Sequence, residues 1–401
     1  MLRSLFSGIT GLRAHQTMMD VTGNNIANVN TAGYKTSQSV FEDTLSQMLR
    51  AAGAPQGGVG GTNPAQVGLG VRVAGIATNF SQGAAQNTGR STDLMISGDG
   101  FFVVRNGAEN LYTRSGAFSF DGNGTLVGPG GGVVQGWTAT NGVVDTNKPM
   151  EDVTLPMGTL LPPVATTGME VGGNLPGDTT STTPIAMSMT TYDQQGNKVN
   201  LTVTFTRSTA TMTPPAVAGW DVSVSDGVGT PSTTTLEFDS AGKRTGTSPT
   251  SVGFGAVTVD LSGVTNYAGS STVAALSQNG SAMGSLQSFT ISPDGTLVGV
   301  FSNGLKQPLA QIALATFNNA PGLEKAGGSM YRTSVNSGAP QLGTAGSGGR
   351  GDLQGGSLEM SNVDLAQEFT NLIIAQRGFQ ANSKVISTSD ELLNDLVNLK
   401  R

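Results

Sequence analysis

LAQEFTNLIIAQRGFQANSKVISTSDELLNDLV occupies residues 365–397, and LRSLFSGITGLRAHQTMMDVTGNNI occupies residues 2–26. In the first stretch Leu365, Phe369, Leu372, Phe379, Ile386, Leu393 and Val397 keep a three/four rhythm; in the second Leu2, Leu5, Ile9, Leu12, Met19 and Ile26 keep another. That spacing predicts two α-helices, each with a narrow apolar stripe of the coiled-coil kind. Their lengths would be ~50 Å and ~40 Å at the helical rise. More than 330 residues separate the stripes, and neither has a partner helix adjacent in sequence. Each must therefore pair with the other terminus, with another subunit, or with both, which puts self-assembly first among the functions to test. Gly8, Gly11 and Gly23 each weaken the first helix by ~1 kcal/mol against Ala. Gln16, Gln376, Ser383 and Asp390 fall on seam positions in this register. Such interrupted stripes predict ends that order themselves only when neighbours pack around them.

The chain has 401 residues, room for two or three domains with real cores. Charged residues are only 12%, while glycine reaches 58. This composition predicts short strands, tight turns and polar loops, so a mainly β protein with α-helical termini. A net charge of −6 and no basic cluster speak against nucleic acid and against an anionic membrane surface. With no cysteine, disulfides, thiolate metal sites and cysteine nucleophiles are excluded. No apolar run approaches the ~18 residues of a membrane span, and none resembles a secretory h-region, so no membrane insertion and no cleavable leader are expected.

Along the chain, Asn24, Asn25 and Asn28 with Gly33 supply the stop of the first helix. Val40, Phe41, Leu45, Met48 and Leu49 suggest a short second helix over 38–50, and 51–66 reads as a flexible linker. Strand patterns begin at 67. Phe118-Ser-Phe120 runs into Asp121-Gly-Asn-Gly124, a hairpin signature, and Phe289-Thr-Ile291 runs into Asp294-Gly295 in the same way. The string Gly-Thr-Leu-Val-Gly occurs at 124–128 and again at 295–299. We read both hairpins as parts of one domain interrupted by an insertion. Within the insertion, Val199, Leu201, Val203 and Phe205 alternate, as do Trp220, Val222, Val224 and Val257, Val259, Leu261, which predicts a β-sandwich or barrel. Asp364 with Gln367 forms a capping box ahead of the last helix. The expected organisation is nested: terminal helical segments 1–36 and 357–401, linkers 37–66 and 337–356, an inner β-domain 67–149 and 283–336, and an inserted outer β-domain 150–282.

Catalytic readings are poor. His15 is the sole histidine and lies on a helix face with no nucleophile-elbow string. Asp121-Gly-Asn123-Gly-Thr125 resembles half a calcium loop, yet Leu126 and Gly132 stand where glycine and an acid are needed, so a hairpin turn is the better reading. Gly242-Lys243 lacks the remainder of a phosphate loop. We expect no enzyme, no catalytic or metal site and no cofactor.

Three groups of residues resemble the axial rod and hook proteins of the bacterial flagellum. At the N-terminus these are Asn24-Asn25-Ile26-Ala27-Asn28 with Thr31, Gly33, Tyr34 and Lys35. Next come Thr88-Gly89-Arg90, Asp93-Leu94, Gly100-Phe101-Phe102 and Tyr112-Thr-Arg114. At the C-terminal end are Leu342 to Gly346, Leu358-Glu359, Ser361-Asn362-Val363-Asp364-Leu365 and Ala375-Gln376-Arg377 with Phe379-Gln380. Within that group the hook family is the better match, because the distal rod protein is described by a shorter chain without a large insert. The resemblance implies a homo-polymer of many copies forming a flexible helical tube that transmits torque. It also implies export by the flagellar type III apparatus, assembly under a hook cap, contact with rod and hook–filament junction proteins, and a location in the hook outside the cell. The departures are the long Gly-rich stretch 38–66 and the lack of the cysteine that some hook proteins cross-link to lysine. Alternatives remain: a distal rod or hook-associated protein, a β-rich adhesin or phage-fibre-like module, or a hydrolase using the insert.

Overall fold

The computed structural model describes residues 2–55, 57, 60–140, 142–155, 158, 160–178, 183–210, 212, 214 and 216–398. The side chains of Leu2, Leu396 and Val397 fall outside that description, so the Leu2 and Val397 seam positions are not placed. The chain forms two compact units, one of Met1–Pro156, Phe289–Val298 and Gln307–Arg401, the other of Met157–Ser288 and Gly299–Lys306.

The first unit carries both long helices, α1 at Leu2–Ala27 and α2 at Leu365–Asn398, which pack on each other. The sheltered side of α2 steps through Glu368, Leu372, Ala375, Phe379, Asn382, Ile386, Ser389 and Leu393, an unbroken four/three alternation. The sequence reading had one half of this seam right, at Leu372, Phe379, Ile386 and Leu393. The other half lies one residue earlier than expected, so Gln376, Ser383 and Asp390 are exposed, and Leu365 and Phe369 are exposed too. On α1 the buried positions are Gly8, Gly11, Ala14, Thr22 and Asn25, while Leu5, Ile9, Leu12, Met19 and Ile26 are half-buried and Gln16 is exposed. Of the glycines read as helix-weakeners, Gly8 and Gly11 are contact surface, whereas Gly23 is exposed with nothing within 4 Å. A Cβ on Gly11 would stand 2.7 Å from Asn382 Oδ1, one on Gly8 would stand 3.2 Å from Ile386 Cγ1, and one on Gly378 would stand 2.5 Å from the His15 ring. Only glycine lets the two helices approach this closely.

Residues 38–50 are not helical. Ser37–Asp43 pairs antiparallel with Val71–Thr78, and Ser46–Arg50 pairs with Ala65–Gly68, with Gly53 bridged to Thr62. Strand pairing over this distance in sequence leaves no local periodicity, so the apolar residues mimicked a helix. Residues 343–356 are likewise not slack. Asp352–Gly355 pairs with Leu94–Ser97, and a Cβ on Gly351 would overlap the carbonyl oxygen of Ser97. The capping box closes only halfway: Asp364 Oδ1 accepts the amides of Ala366 and Gln367 at 2.9 and 3.2 Å, but the Gln367 amide donates forward to Asn371.

The inner sheet runs Lys306–Ile312, Val133–Thr140, Phe101–Asn106, Glu109–Thr113, Met330–Arg332, Glu324–Gly327, with antiparallel neighbours. Its core gathers Phe101, Val103, Tyr112, Trp137, Ala313, Ala315, Leu323 and Tyr331. Both copies of the repeated string contribute a buried leucine, Leu126 and Leu297, and the Phe120 and Phe289 rings meet edge-to-face at 5.2 Å. The hairpin turn at Asp121 holds its amides directly, with Asp121 Oδ1 accepting from Asn123 and Thr125 N–H at 2.9 and 2.8 Å.

The second unit is a sandwich of two four-stranded sheets. One is an antiparallel meander of Ile185–Tyr192, Lys198–Arg207, Ala218–Ser225 and Ser232–Phe238. The other runs Ser251–Phe254, Val257–Thr265, Gly168–Asn174, Ala274–Gln278, its central pair parallel. Val203, Phe205, Trp220, Val222 and Leu236 of the first meet Val171, Val259 and Leu261 of the second in one core. The alternating residues read from sequence are those that face inward.

Candidate functional site: the buried joint and the terminal helices

Where α1 ends, the chain must turn and enter the strand beginning at Ser37. Asn25, almost wholly buried, fixes that turn by donating its amide to Ser37 O at 2.8 Å and accepting Ser37 N–H at 3.0 Å. An asparagine side chain presents the same donor and acceptor as a peptide, so it continues the ladder past the helix end. The Tyr34 hydroxyl donates to Asn24 Oδ1 at 2.7 Å and lies 3.1 Å from Asn25 Oδ1. Burial, and then the Glu368 carboxylate, push the Tyr34 phenol above its ordinary range. Asn28 donates to Asn24 O at 2.9 Å, and Thr31 Oγ1 donates to Asn28 Oδ1 at 3.1 Å. Ile26 is half-buried and Ala27 exposed at the helix end.

Gly33 has φ +69°, and a Cβ there would collide with the backbone of Ser115. Its N–H donates to the Glu359 carbonyl at 2.7 Å. Two residues on, Lys35 is fully buried. Its Nζ donates to Glu359 Oε1 at 2.6 Å and to Ser81 O at 2.7 Å. Glu359 Oε1 also accepts Gly83 N–H at 2.9 Å, while Oε2 faces Arg114 Nη1 at 3.4 Å. Burial lowers the pKa of both Lys35 and Arg114, and Glu359 works against that shift in each. Asn362 completes the knot, its Oδ1 accepting Thr36 N–H at 2.8 Å and its amide donating to Asn79 O at 2.9 Å. The N-terminal signature, the start of the β-domain and the C-terminal signature thus close on one another around a single carboxylate. Sequence reasoning singled out Lys35 but missed Glu359, Arg114 and Asn362 as its company. They were visible only as motif letters, with no spacing to say that they meet.

On α2 the exposed apolar side chains sit on both flanks of the seam. Phe369 and Ile373 lie on one side, and Ile374, Val385 and Leu392 on the other, each roughly 100° from the face turned to α1, while Leu365 continues the seam line one heptad before Leu372 and is exposed there. The strand pair at 37–78 adds Leu45, Met48, Leu49, Val67 and Ile76, all exposed. Monomeric proteins rarely leave this much apolar surface uncovered. Among the described residues no group of three or more His, Asp or Glu side chains could hold a metal, and no helix is long and apolar enough to cross a membrane.

Family models match along the chain: the flagellar basal body rod protein at residues 5–35, the D1 domain of the flagellar hook proteins FlgE/F/G at 95–173, the D2 domain of the flagellar basal body protein FlaE at 167–281, and the C-terminal region of basal body rod FlgEFG proteins at 354–399. The flagellar hook protein FlgE of Treponema pallidum is 38% identical over 463 residues, covering 100% of both chains. That of Salmonella typhimurium is 36% identical, covering 99% of this chain and 100% of its own. The basal-body rod protein FlgG of Bacillus subtilis is 34% identical over 402 residues, covering 100% of both chains. The crystal structure of Helicobacter pylori flagellar hook protein FlgE2 shares the fold, with TM-score 0.55 and 16% identity over 69% of this chain and 100% of that one. With hook proteins matching from end to end at this identity, the chain belongs to the flagellar hook protein FlgE family.

Proposed function

We propose that the chain is a structural subunit whose copies polymerise into the flagellar hook, a tube that bends while passing motor torque to the filament. The observation that carries this reading is the pair of apolar flanks on α2. With α1 on the seam, two further helices are needed to cover Phe369 and Ile373 on one side and Ile374, Val385 and Leu392 on the other. A closed wall of helices from neighbouring copies supplies both. Leu5, Ile9, Leu12, Met19 and Ile26 on α1, with Leu372, Phe379, Ile386 and Leu393 on the α2 seam, hold together the helix pair that presents these flanks. The signature residues Asn24 to Lys35 serve as the joint that transfers load from helix to β-domain. The rod, the hook cap, the hook–filament junction proteins and the type III export apparatus are the partners this role requires, and its location is the flagellum, outside the cell after export.

The test is substitution on one flank, Phe369→Ser with Ile373→Ser, and separately on the other, Ile374→Ser with Leu392→Ser. Each should leave the far-UV circular dichroism of the monomer intact and abolish tubes in electron micrographs. Tubes of normal length and abundance from both variants would remove the flanks from the assembly.

A further inference from the structure

The geometry points to a carboxylate-binding site in the first unit, in a cavity of about 300 Å³ beside Arg114. Phe80, Phe101 and Phe317 wall it, Ala320 and Asp99 stand at its edge, and Arg114 is its one buried charge. The Arg114 side chain is only 3% exposed, yet its Nε–H has no acceptor. A buried donor without a partner is costly, and more so on a charged group. The charge balance points the same way. Lys35 and Arg114 share one carboxylate, Glu359, whose Oε1 is already engaged by Lys35 Nζ and Gly83 N–H. The exposed Asp99 carboxylate stands beyond ion-pair distance and acts on Arg114 only from the cavity edge, leaving the Nε donor unmet. A single incoming carboxylate would take that donor and displace Asp99 as the second counter-charge.

The walls define the remainder of the ligand. The guanidinium carbon lies 5.4 Å from the centroid of Phe101, which meets Phe80 at 5.3 Å and Phe317 at 5.7 Å. Such a lining accepts a short aliphatic or aromatic body, and the volume lies at the small end of ligand pockets. The class is thus a monocarboxylate on an apolar stem. It could be a free small acid or an Asp or Glu side chain of a neighbouring copy.

Phenylacetate is the probe, and the neutral phenylacetamide is its control, read by saturation-transfer NMR on the full-length monomer. Phenylacetate should bind roughly tenfold tighter, the advantage of a charge-assisted bond. Ala320→Phe, which fills the cavity without touching a charge, should abolish the signal, as should Arg114→Gln if that variant folds. Equal binding of acid and amide, retention of binding in Ala320→Phe, or no phenylacetate signal at all would overturn the site. Assembled tubes identify the source: loss of phenylacetate binding on polymerisation assigns the cavity to a neighbour's acidic side chain, and retained binding assigns it to a free acid. Only this last arm rests on the assembly reading, so failure to polymerise leaves the monomer result decisive.

Discussion

Lys35 and Glu359 stand 324 positions apart in the chain and meet at 2.6 Å with neither side chain exposed. The pair ties the segment that follows α1 to the last β-segment of the chain. Breaking one partner of a buried pair leaves the other charge stranded, which costs about 3–5 kcal/mol. Glu359→Gln, which leaves both Lys35 and Arg114 without their shared carboxylate, should therefore lower the stability of the first unit by that order. Lys35→Met combined with Glu359→Gln should cost less than the sum of the single changes, because only Arg114 is then left without it. Trp137 lies in the first unit and Trp220 in the second, so guanidinium titration of a Trp220→Phe background reads the first unit alone. Strict additivity would mean that the two side chains do not stabilise one another.

Gly33 and Gly89 separate two costs that glycine usually hides together. Both have positive φ, +69° and +70°. Gly89 faces open space, whereas a Cβ on Gly33 would overlap Ser115 and Arg114 backbone atoms. Gly89→Ala should cost about 1–2 kcal/mol, the penalty of a left-handed L-residue. Gly33→Ala should cost clearly more, since the backbone it strikes cannot rotate aside. The comparison is a pair of denaturation midpoints, and equal midpoints would show that the turn relaxes around the methyl group.

How far the sequence reached is set by which interactions are local. The inward faces of strands 199–205 and 220–224 were legible because alternation is written into adjacent residues, and burial follows it closely. The terminal helices were legible for the same reason, but their seam was half misread. Leu372, Phe379, Ile386 and Leu393 advertise one heptad position by hydrophobicity. The other position is held by Glu368, Ala375, Asn382 and Ser389, small or polar residues, of which Asn382 lies against Gly8 and Gly11 of α1, and no hydrophobic rhythm reveals them. The strand pair at 37–78 and the Lys35–Glu359–Arg114 cluster depend on partners far along the chain. Sequence could name Lys35 as a motif residue, but only the fold supplies its counter-charge.

The helical glycines give opposite signs for the same substitution type. Gly23 has nothing within 4 Å of its missing Cβ, so Gly23→Ala should stabilise α1 by about 1 kcal/mol through propensity alone. Leucine is nearly as good a helix former as alanine, so propensity alone would favour Gly11→Leu almost as much. Packing predicts the reverse, because the Asn382 amide occupies the space, donating to Gly378 O at 2.9 Å. Thermal melts followed at 222 nm should rise for the first variant and fall for the second. A rise in both would place the α1–α2 contact outside the forces that hold the unit together.

Alkaline titration tests the joint from the side of the phenols. Burial raises the pKa of Tyr34, Tyr112 and Tyr331, with the Glu368 carboxylate adding to the effect at Tyr34. A folded-state pKa above the unfolded value means that the folded chain holds its proton longer. The stability contributed is complete below the unfolded pKa of about 10 and is lost as pH rises beyond it. Lys35 and Lys325 act in the opposite sense, since burial lowers their pKa and folding is relieved of a penalty as they deprotonate. The phenol contribution is isolated by comparing the parent with Tyr331→Phe, which removes one titrating group and keeps the ring edge-to-face with Phe80 and Phe101. Absorbance at 295 nm should show a delayed step in the parent that coincides with loss of near-UV circular dichroism. In Tyr331→Phe that step should shrink and the unfolding should move to higher pH. An unchanged midpoint would mean that Tyr331 ionises without opening the core.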